Sequence, residues 1–529
     1  MILSKINLWL WPAIFLSTLT LSSNAQETPA RWYEEGRAVV ERNLSYRFAN
    51  AEIPIAKNVI LFIGDGMGVS TVTAARILAG QLEGNPGEEH ELSFETFPNV
   101  ALAKTYNTDA QVPDSAGTMT AMVTGVKTDR GIISINQNVE RGDCSTEAGN
   151  ELQTFLELAE TKGMSTGVVS TARLTHATPA ANYAHSMERD FEDDGDAENL
   201  RNAGDCPDIA RQLIEFVDNV PGSDGIEVAM GGGRRNFIPR TDGADPETGG
   251  QGGRLDGRNL PEEWVENHSN AAYVWNKEQF DAIDSQSVDH LLGLFNPSHM
   301  QYSYDTPADR GGEPTLTEMT AKAIEIVSKN EQGYYLNIEA GRIDHAHHAV
   351  NPFRALRDTI ELASAVKTAV EMVDLNETLI IVTADHSHVF TIAGYPKRGN
   401  PILGKVVGLD AAGQPRTEPT LARDGLPYTT LGYANGRGFA ETPGRNSAEA
   451  IYTVPVQENR RADLSDVDTT HEGFHSESLV HMSSETHAGE DVAIYAIGAG
   501  SDLIRGVMEQ NVIFHVMMEA AQMDAREFN

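Results

Sequence analysis

Residues 58–78, NVILFIGDGMGVSTVTAARIL, carry an apolar run into Asp65 and out again into a segment of good helix formers. A short apolar run bounded by glycine reads as a strand buried on both faces, as in a parallel sheet, and the segment after it reads as the crossover helix. The glycines do not form a dinucleotide fingerprint. Gly64, Gly66 and Gly68 give G-x-G-x-G without the third spacing, and an acid stands where a pyrophosphate would lie. The same apolar form recurs at STGVVS (165–170), IEVAMGG (226–232), YYLNIE (334–339), LIIVTA (379–384) and DVAIYAIG (491–498). Between two of these runs, Leu356, Ile360, Ala363, Val366, Val370 and Val373 recur at helical spacing, one stripe that would cover the sheet. The fold class is therefore α/β and doubly wound: a mostly parallel central sheet flanked by helices, with ligands expected at the carboxyl ends of its strands.

The chain has 529 residues, enough for one very large domain or two to three ordinary ones. Its 40 basic and 77 acidic residues leave a net charge of −37, which argues against nucleic acid or an anionic membrane as partner. Residues 1–25 combine Lys5, an apolar run and Ser23-Asn24-Ala25, the form of a secretory signal peptide; an uncleaved anchor is the alternative. No later segment is apolar enough to span a bilayer in the mature chain. Export would bring Cys144 and Cys206 into an oxidising compartment, where one disulfide is the natural outcome and two free buried thiols the alternative. Residues 26–50 read as an N-terminal helical arm, with an isolated amphipathic helix over 29–48. Two stretches, 238–262 and 394–484, lose helical periodicity and read as insertions outside the sheet.

Chemistry gathers at the strand ends. Asp65 follows the first run, and TADHSHVF puts Asp385, His386 and His388 after another. EAGRIDHAHH supplies Glu339 at a strand end, then Asp344 and His348 four apart, on one face of a helical turn. SSETHAGED brings His487 to the loop before the last run. Taken singly, an Asp at a strand end is as often a helix cap and a lone Asp-His pair is usually a loop hydrogen bond. Four clusters at sheet edges differ, because converging carboxylates repel unless cations lie between them. VPDSAGT offers Ser115 at a helix start, preceded by Asp114, where backbone N–H groups favour an anion; an ordinary N-cap is the competing reading.

GDGMG, VPDSAGT, HATPAANYAHSMERD, EAGRIDHAHH, TADHSHVF and ETHAGED, in this order, resemble the metal-dependent alkaline phosphatases, the animal type more than the enterobacterial one. The resemblance runs from about residue 30 to the C-terminus and is weakest over 394–484. It implies a catalytic domain of residues 51–393 and 485–529, a crown-like insertion over 394–484, and hydrolysis of phosphate monoesters through a phosphoserine at Ser115, with two zinc ions and one magnesium. By motif, Asp344, His348 and His487 would hold the first zinc, and Asp65, Asp385 and His386 the second. Asp65 would bridge to magnesium, completed by Thr178 and Glu339. Arg189 would grip the phosphate with Asp114 orienting it, and His388 would stand behind the first zinc. His176 and His345 occupy positions where the enterobacterial type has Asp and Lys. The resemblance further implies a homodimer, exported to the periplasm or secreted, and a degenerate fourth metal site, with calcium as its candidate ion, at Glu247, Phe295, Asn296 and Glu313. There Asn296 stands where a Glu is expected. Sulfatases share this kind of core, but DSAGT lacks the Pro and Arg that their modified residue requires.

Overall fold

The apolar runs pair into one sheet because each buries both faces: Val59 to Ile63 and Leu379 to Val382 have no solvent exposure at all. The computed structural model describes residues 28–45, 54–202, 204, 206–441 and 461–523; the expected signal peptide at 1–25, the end of the expected arm at 46–50 and part of the expected 394–484 insertion lie outside them. The strands of the large sheet are β1 (Asn58–Gly64), β2 (Asn99–Lys104), β3 (Ser165–Arg173), β4 (Val228–Gly232), β5 (Ala271–Val274), β6 (His290–Leu294), β7 (Tyr334–Ala340), β8 (Thr378–Ala384), β16 (Val492–Gly498) and β17 (Gly506–Glu509). Seven short strands lie between β8 and β16: β9 (Ser387–His388), β10 (Phe390–Ile392), β11 (Leu431–Gly436), β12 (Ala440–Glu441), β13 (Phe474–His475), β14 (Ser478–His481) and β15 (His487–Ala488).

The order across the large sheet is β17-β2-β16-β8-β1-β7-β3-β4-β6-β5. Every pairing is parallel except those of β16, which runs antiparallel to both β8 and β2. This corrects the expectation that the DVAIYAIG run is another parallel strand. The reason is topological: with Tyr495 opposite Val382, β16 starts at the edge where β8 ends, so the loop before it reaches the carboxyl edge of the sheet. His487, which precedes its strand, thereby arrives beside residues that follow theirs.

Helices flank the sheet. The helix Pro352–Met372 carries the expected stripe, with Leu356 and Val366 fully buried, and packs against the helices Leu316–Val327 and Val69–Leu82. The N-terminal helix, Pro29–Ser45, is not isolated as the sequence suggested. It lies on the C-terminal helix Val512–Ala520, with Tyr33 and His515 rings 4.7 Å apart and Asn511 Nδ2 donating to the Trp32 carbonyl at 2.8 Å. A Cβ at Gly36 would sit 2.5 Å from the His515 ring, so the close approach needs glycine. Its stripe, Trp32, Tyr33 and Val40, found a partner distant in sequence that periodicity alone could not name. Cys144 and Cys206 are joined as a disulfide, the first of the two readings. β11 and β14 of the insertion join β10, which directly precedes it, in a small sheet of their own. Among the described residues no helix is long and apolar enough to cross a membrane.

Candidate active site

Strand register builds a carboxylate platform. Gly64 of β1 is level with Ala384 of β8 and with Ala340 of β7. The residues after Gly64 and Ala384 are Asp65 and Asp385, and the residue before Ala340 is Glu339, so three adjacent strands deliver three carboxylates to one edge. The amides of Gly66 and His386 both donate to Asp385 Oδ1 at 2.9 Å. Gly66 has φ +66°, and a Cβ there would lie 2.3 Å from His388 Nε2, which fixes glycine at this turn.

These groups are buried and under-satisfied. Both oxygens of Asp65, Asp385 Oδ2, Glu339 Oε1, Thr178 Oγ1 and His386 Nδ1 have no hydrogen-bond partner within the protein. Ser170 donates to the other Glu339 oxygen. Burial, with the charges of Asp385, Asp344 and Glu339 added, raises Asp65 well above the usual carboxylate range. Burial pushes Glu339 up to about 7 despite the bond from Ser170, with Asp385 adding to the rise. Unpaired buried carboxylates are costly, and divalent cations with oxygen and imidazole ligands remove that cost. The residues fit such ions: ligand atoms of Asp65, Asp385 and His386, and those of Asp65, His176 and Glu339, lie within 4.8 Å of one another. Thr178 opens into the second group from the helix Ala177–Ala180 that follows β3.

A second cluster adjoins the first. The helix Arg342–His348 puts Asp344 and His348 one turn apart. His348 Nδ1 lies 2.7 Å from the Glu485 carbonyl and His487 Nδ1 2.8 Å from the Pro113 carbonyl. Each Nδ1 must carry hydrogen to meet a carbonyl, so each Nε2 turns a lone pair inward. The two Nε2 atoms are 3.1 Å apart, and each is 3.3 Å from Asp344 Oδ1. Two lone pairs and a carboxylate that close together need a proton or a cation between them. Burial works against a proton on His348, yet Asp344 outweighs it and raises the imidazole above its ordinary value. His388 behaves differently. Its Nε2 is 2.8 Å from Asp344 Oδ1 and its Nδ1 2.7 Å from Glu485 Oε2, and against the cost of burial these two carboxylates raise it to about 10. It is a cation that braces Asp344.

Ser115 opens the helix Ser115–Thr124, and Asp114 caps it. Ser115 Oγ lies 3.1 Å from His386 Nε2, which is 3.2 Å from Asp385 Oδ2 and 3.5 Å from Asp65 Oδ1. Asp114 accepts four donors: the Gly117 amide at 3.2 Å, Asn107 Nδ2 at 2.9 Å, the Gly131 amide at 2.9 Å and Arg189 Nη1 at 3.0 Å. Burial alone would raise it, but Arg189 and the amides hold it below the usual range. Arg189 Nη2 lies 3.1 Å from His176 Nε2, so the guanidinium is held on two sides, by Asp114 and by His176. His345 is 5.5 Å from His176 between ring centres and 4.0 Å from His299.

The two clusters and Ser115 therefore stand together, with Asp114, Arg189 and His176 linked to one another beside the serine and His345 next to His176. The residues expected at a fourth site are each engaged internally. Asn296 Nδ2 donates to Glu313 Oε1 at 2.8 Å, and Arg234 Nη2 donates to Glu247 Oε2 at 2.7 Å; Phe295 lies buried at the end of β6. Burial, then the nearby Asp309, raises Glu313 to about 8. Sequence reasoning missed Glu485, Asn107 and His299. Glu485 alone had a local signal, standing two residues before His487 in SSETHAGED.

The alkaline phosphatase family model matches residues 56–523. The tissue-nonspecific alkaline phosphatase of Felis catus is 42% identical over 510 residues, 95% of this chain and 90% of that one. An alkaline phosphatase of Gadus morhua is 41% identical over 499 residues, 93% of this chain and 97% of that one. Among solved structures, the alkaline phosphatase of Thermus thermophilus superposes with a TM-score of 0.61 at 22% identity, covering 89% of this chain and 92% of that one, a likeness of fold.

Proposed function

Because this chain belongs to the alkaline phosphatase family and is a phosphomonoesterase, we propose that it works through a phosphoserine at Ser115, with zinc and magnesium as its ions. The observation that carries the reading is Ser115 Oγ, 3.1 Å from His386 Nε2 at a helix N-terminus, beside the carboxylate oxygens of Asp65, Asp385 and Glu339 that have no hydrogen-bond partner within the protein. Asp344, His348 and His487 would hold one zinc, Asp65, Asp385 and His386 the other, and Asp65, Thr178 and Glu339 the magnesium. Such ions supply Lewis acidity at the serine oxygen and at the departing oxygen of the ester.

The chain's own groups do the rest. Arg189 offers two parallel N–H donors to two phosphoryl oxygens, a charge-assisted bidentate contact, and Asp114 and His176 fix its plane. The N-terminus of the helix Ser115–Thr124 favours the negative charge that gathers at Ser115. Ser115 Oγ gives its proton to solvent and bonds to phosphorus as the ester P–O bond breaks, and the alcohol leaves with a proton from solvent. Water then attacks phosphorus from the vacated side and sheds a proton to solvent, the Ser115–phosphorus bond breaks, Ser115 Oγ takes a proton back, and inorganic phosphate departs.

The exported, homodimeric reading is kept: a signal over 1–25, a helical arm over 26–50, a catalytic domain of 51–393 and 485–529, and a crown-like insertion over 394–484. The Cys144–Cys206 bridge supports an oxidising compartment, periplasmic or extracellular. Trapping the intermediate with labelled inorganic phosphate at mildly acid pH, followed by peptide mapping, tests the chemistry. Label is expected on Ser115 and absent from Ser115→Ala. Label on any other residue of the wild type overturns the proposal.

A further inference from the structure

Glu485 touches both sides of the imidazole cluster, yet it is no ligand in the reading above. We propose that Glu485 is a positioning residue that sets the affinity of the Asp344, His348 and His487 site for its metal. The inference rests on the proposed function.

The geometry is specific to this residue. Glu485 is 1% exposed, a buried carboxylate in the segment leading to β15. Its Oε1 accepts from the Val389 amide at 3.0 Å, and its Oε2 lies 2.7 Å from His388 Nδ1. Its main-chain carbonyl lies 2.7 Å from His348 Nδ1, and its Oε2 is 3.4 Å from the same atom. One residue thus orients two imidazoles at once. Through its carbonyl it turns the Nε2 lone pair of His348 into the site, and through its carboxylate it aims His388 Nε2 at Asp344 Oδ1, 2.8 Å away. His487, two residues on, completes the site through the β15–β9 pairing, in which His487 faces His388. Outer partners of this kind fix the ring orientation and basicity of the ligands they touch. A glutamine at 485 could still accept from Val389 or from His388, but its amide cannot accept from both on separate oxygens, so one contact becomes donor against donor.

The test compares wild type, Glu485→Gln and Glu485→Asp as full-length, zinc-loaded enzymes. Zinc retained is measured after dialysis against graded chelator, together with kcat and KM for p-nitrophenyl phosphate and the Tm of the zinc-stripped proteins. For Glu485→Gln, one of two zinc ions should dissociate about 10- to 100-fold more readily while the other is held as in wild type. Added zinc should restore kcat, and the stripped Tm should match wild type. Should the glutamine variant fail to fold, the aspartate variant, which keeps the charge but shortens the reach, must show the same selective loss. Equal zinc retention in variant and wild type, or equal weakening of both ions, overturns the inference and leaves the proposed function standing. A wild type that binds no zinc overturns both.

Discussion

His185 gives a prediction that can be worked from geometry. Its Nδ1 lies 2.9 Å from the Ser134 carbonyl and its Nε2 3.0 Å from Glu157 Oε1. Both neighbours are acceptors, so only the doubly protonated ring donates to both, and a neutral ring turns a lone pair toward one of them. Burial opposes that charge, yet Glu157 and the Ser134 carbonyl raise His185 from 6.5 to about 9. The interval between the ordinary and the raised value corresponds to about 3 kcal/mol of folded-state stabilisation. The sign follows from linkage: the folded pKa is the higher, so the contribution is complete below pH 6.5 and is lost as pH rises through about 9. Glu157 cannot relax away, because its Oε2 accepts from the Thr154 amide at 2.8 Å in a capping box. An alkaline phosphatase meets this loss near the pH at which it works. The assay is thermal unfolding of metal-loaded wild type and His185→Gln at pH 6, 7.5 and 9.5. The wild type should unfold several degrees higher at pH 6, and the gap should close by pH 9.5. A gap that is constant across this range would refute the reasoning.

Two further outcomes follow from the site. Arg189→Ala should weaken phosphate binding and kcat/KM by about 2–4 kcal/mol, the scale of a lost charge-assisted bidentate contact, while leaving bound zinc unchanged; inhibition by inorganic phosphate together with metal analysis checks it. Asn296→Glu replaces an amide donor beside Glu313 with a second carboxylate, so it should bind calcium more tightly than wild type by calorimetry, and equal affinities would remove the idea of a degenerate fourth site.

The central strands were legible because burial on both faces writes itself as an unbroken apolar run. Asp65 and Asp385 could be matched from sequence because each ends such a run. The outer strands, β17 and β2 at one end of the sheet and β6 and β5 at the other, were not legible. In β2, Val100 and Leu102 are exposed while Ala101 and Ala103 are buried, so size and burial run opposite to a readable pattern. The direction of β16 is a property of the path between strands, which no residue in VAIYAIG records. Glu485 escaped for another reason: in a chain with 77 acidic residues, one glutamate stands out only when its neighbours are known in space. The Asn296–Glu313 bond shows the converse, where the resemblance supplied residues and the structure supplied their partners.

The short pairing of β9 with β15, Ser387 opposite Ala488 and His388 opposite His487, closes the base of everything between them. In topology the whole insertion is therefore an overgrown hairpin loop, whose stem holds metal-site residues and whose tip is free to vary. Lengthening such a loop carries only a logarithmic entropic cost, about 0.6 kcal/mol per doubling. The chemistry and whatever the tip of the insertion meets can thus diversify at separate rates, while Tyr433 and His475, bonded to His347 and Ala349, tie the inner part of the insertion to the helix that bears Asp344 and His348.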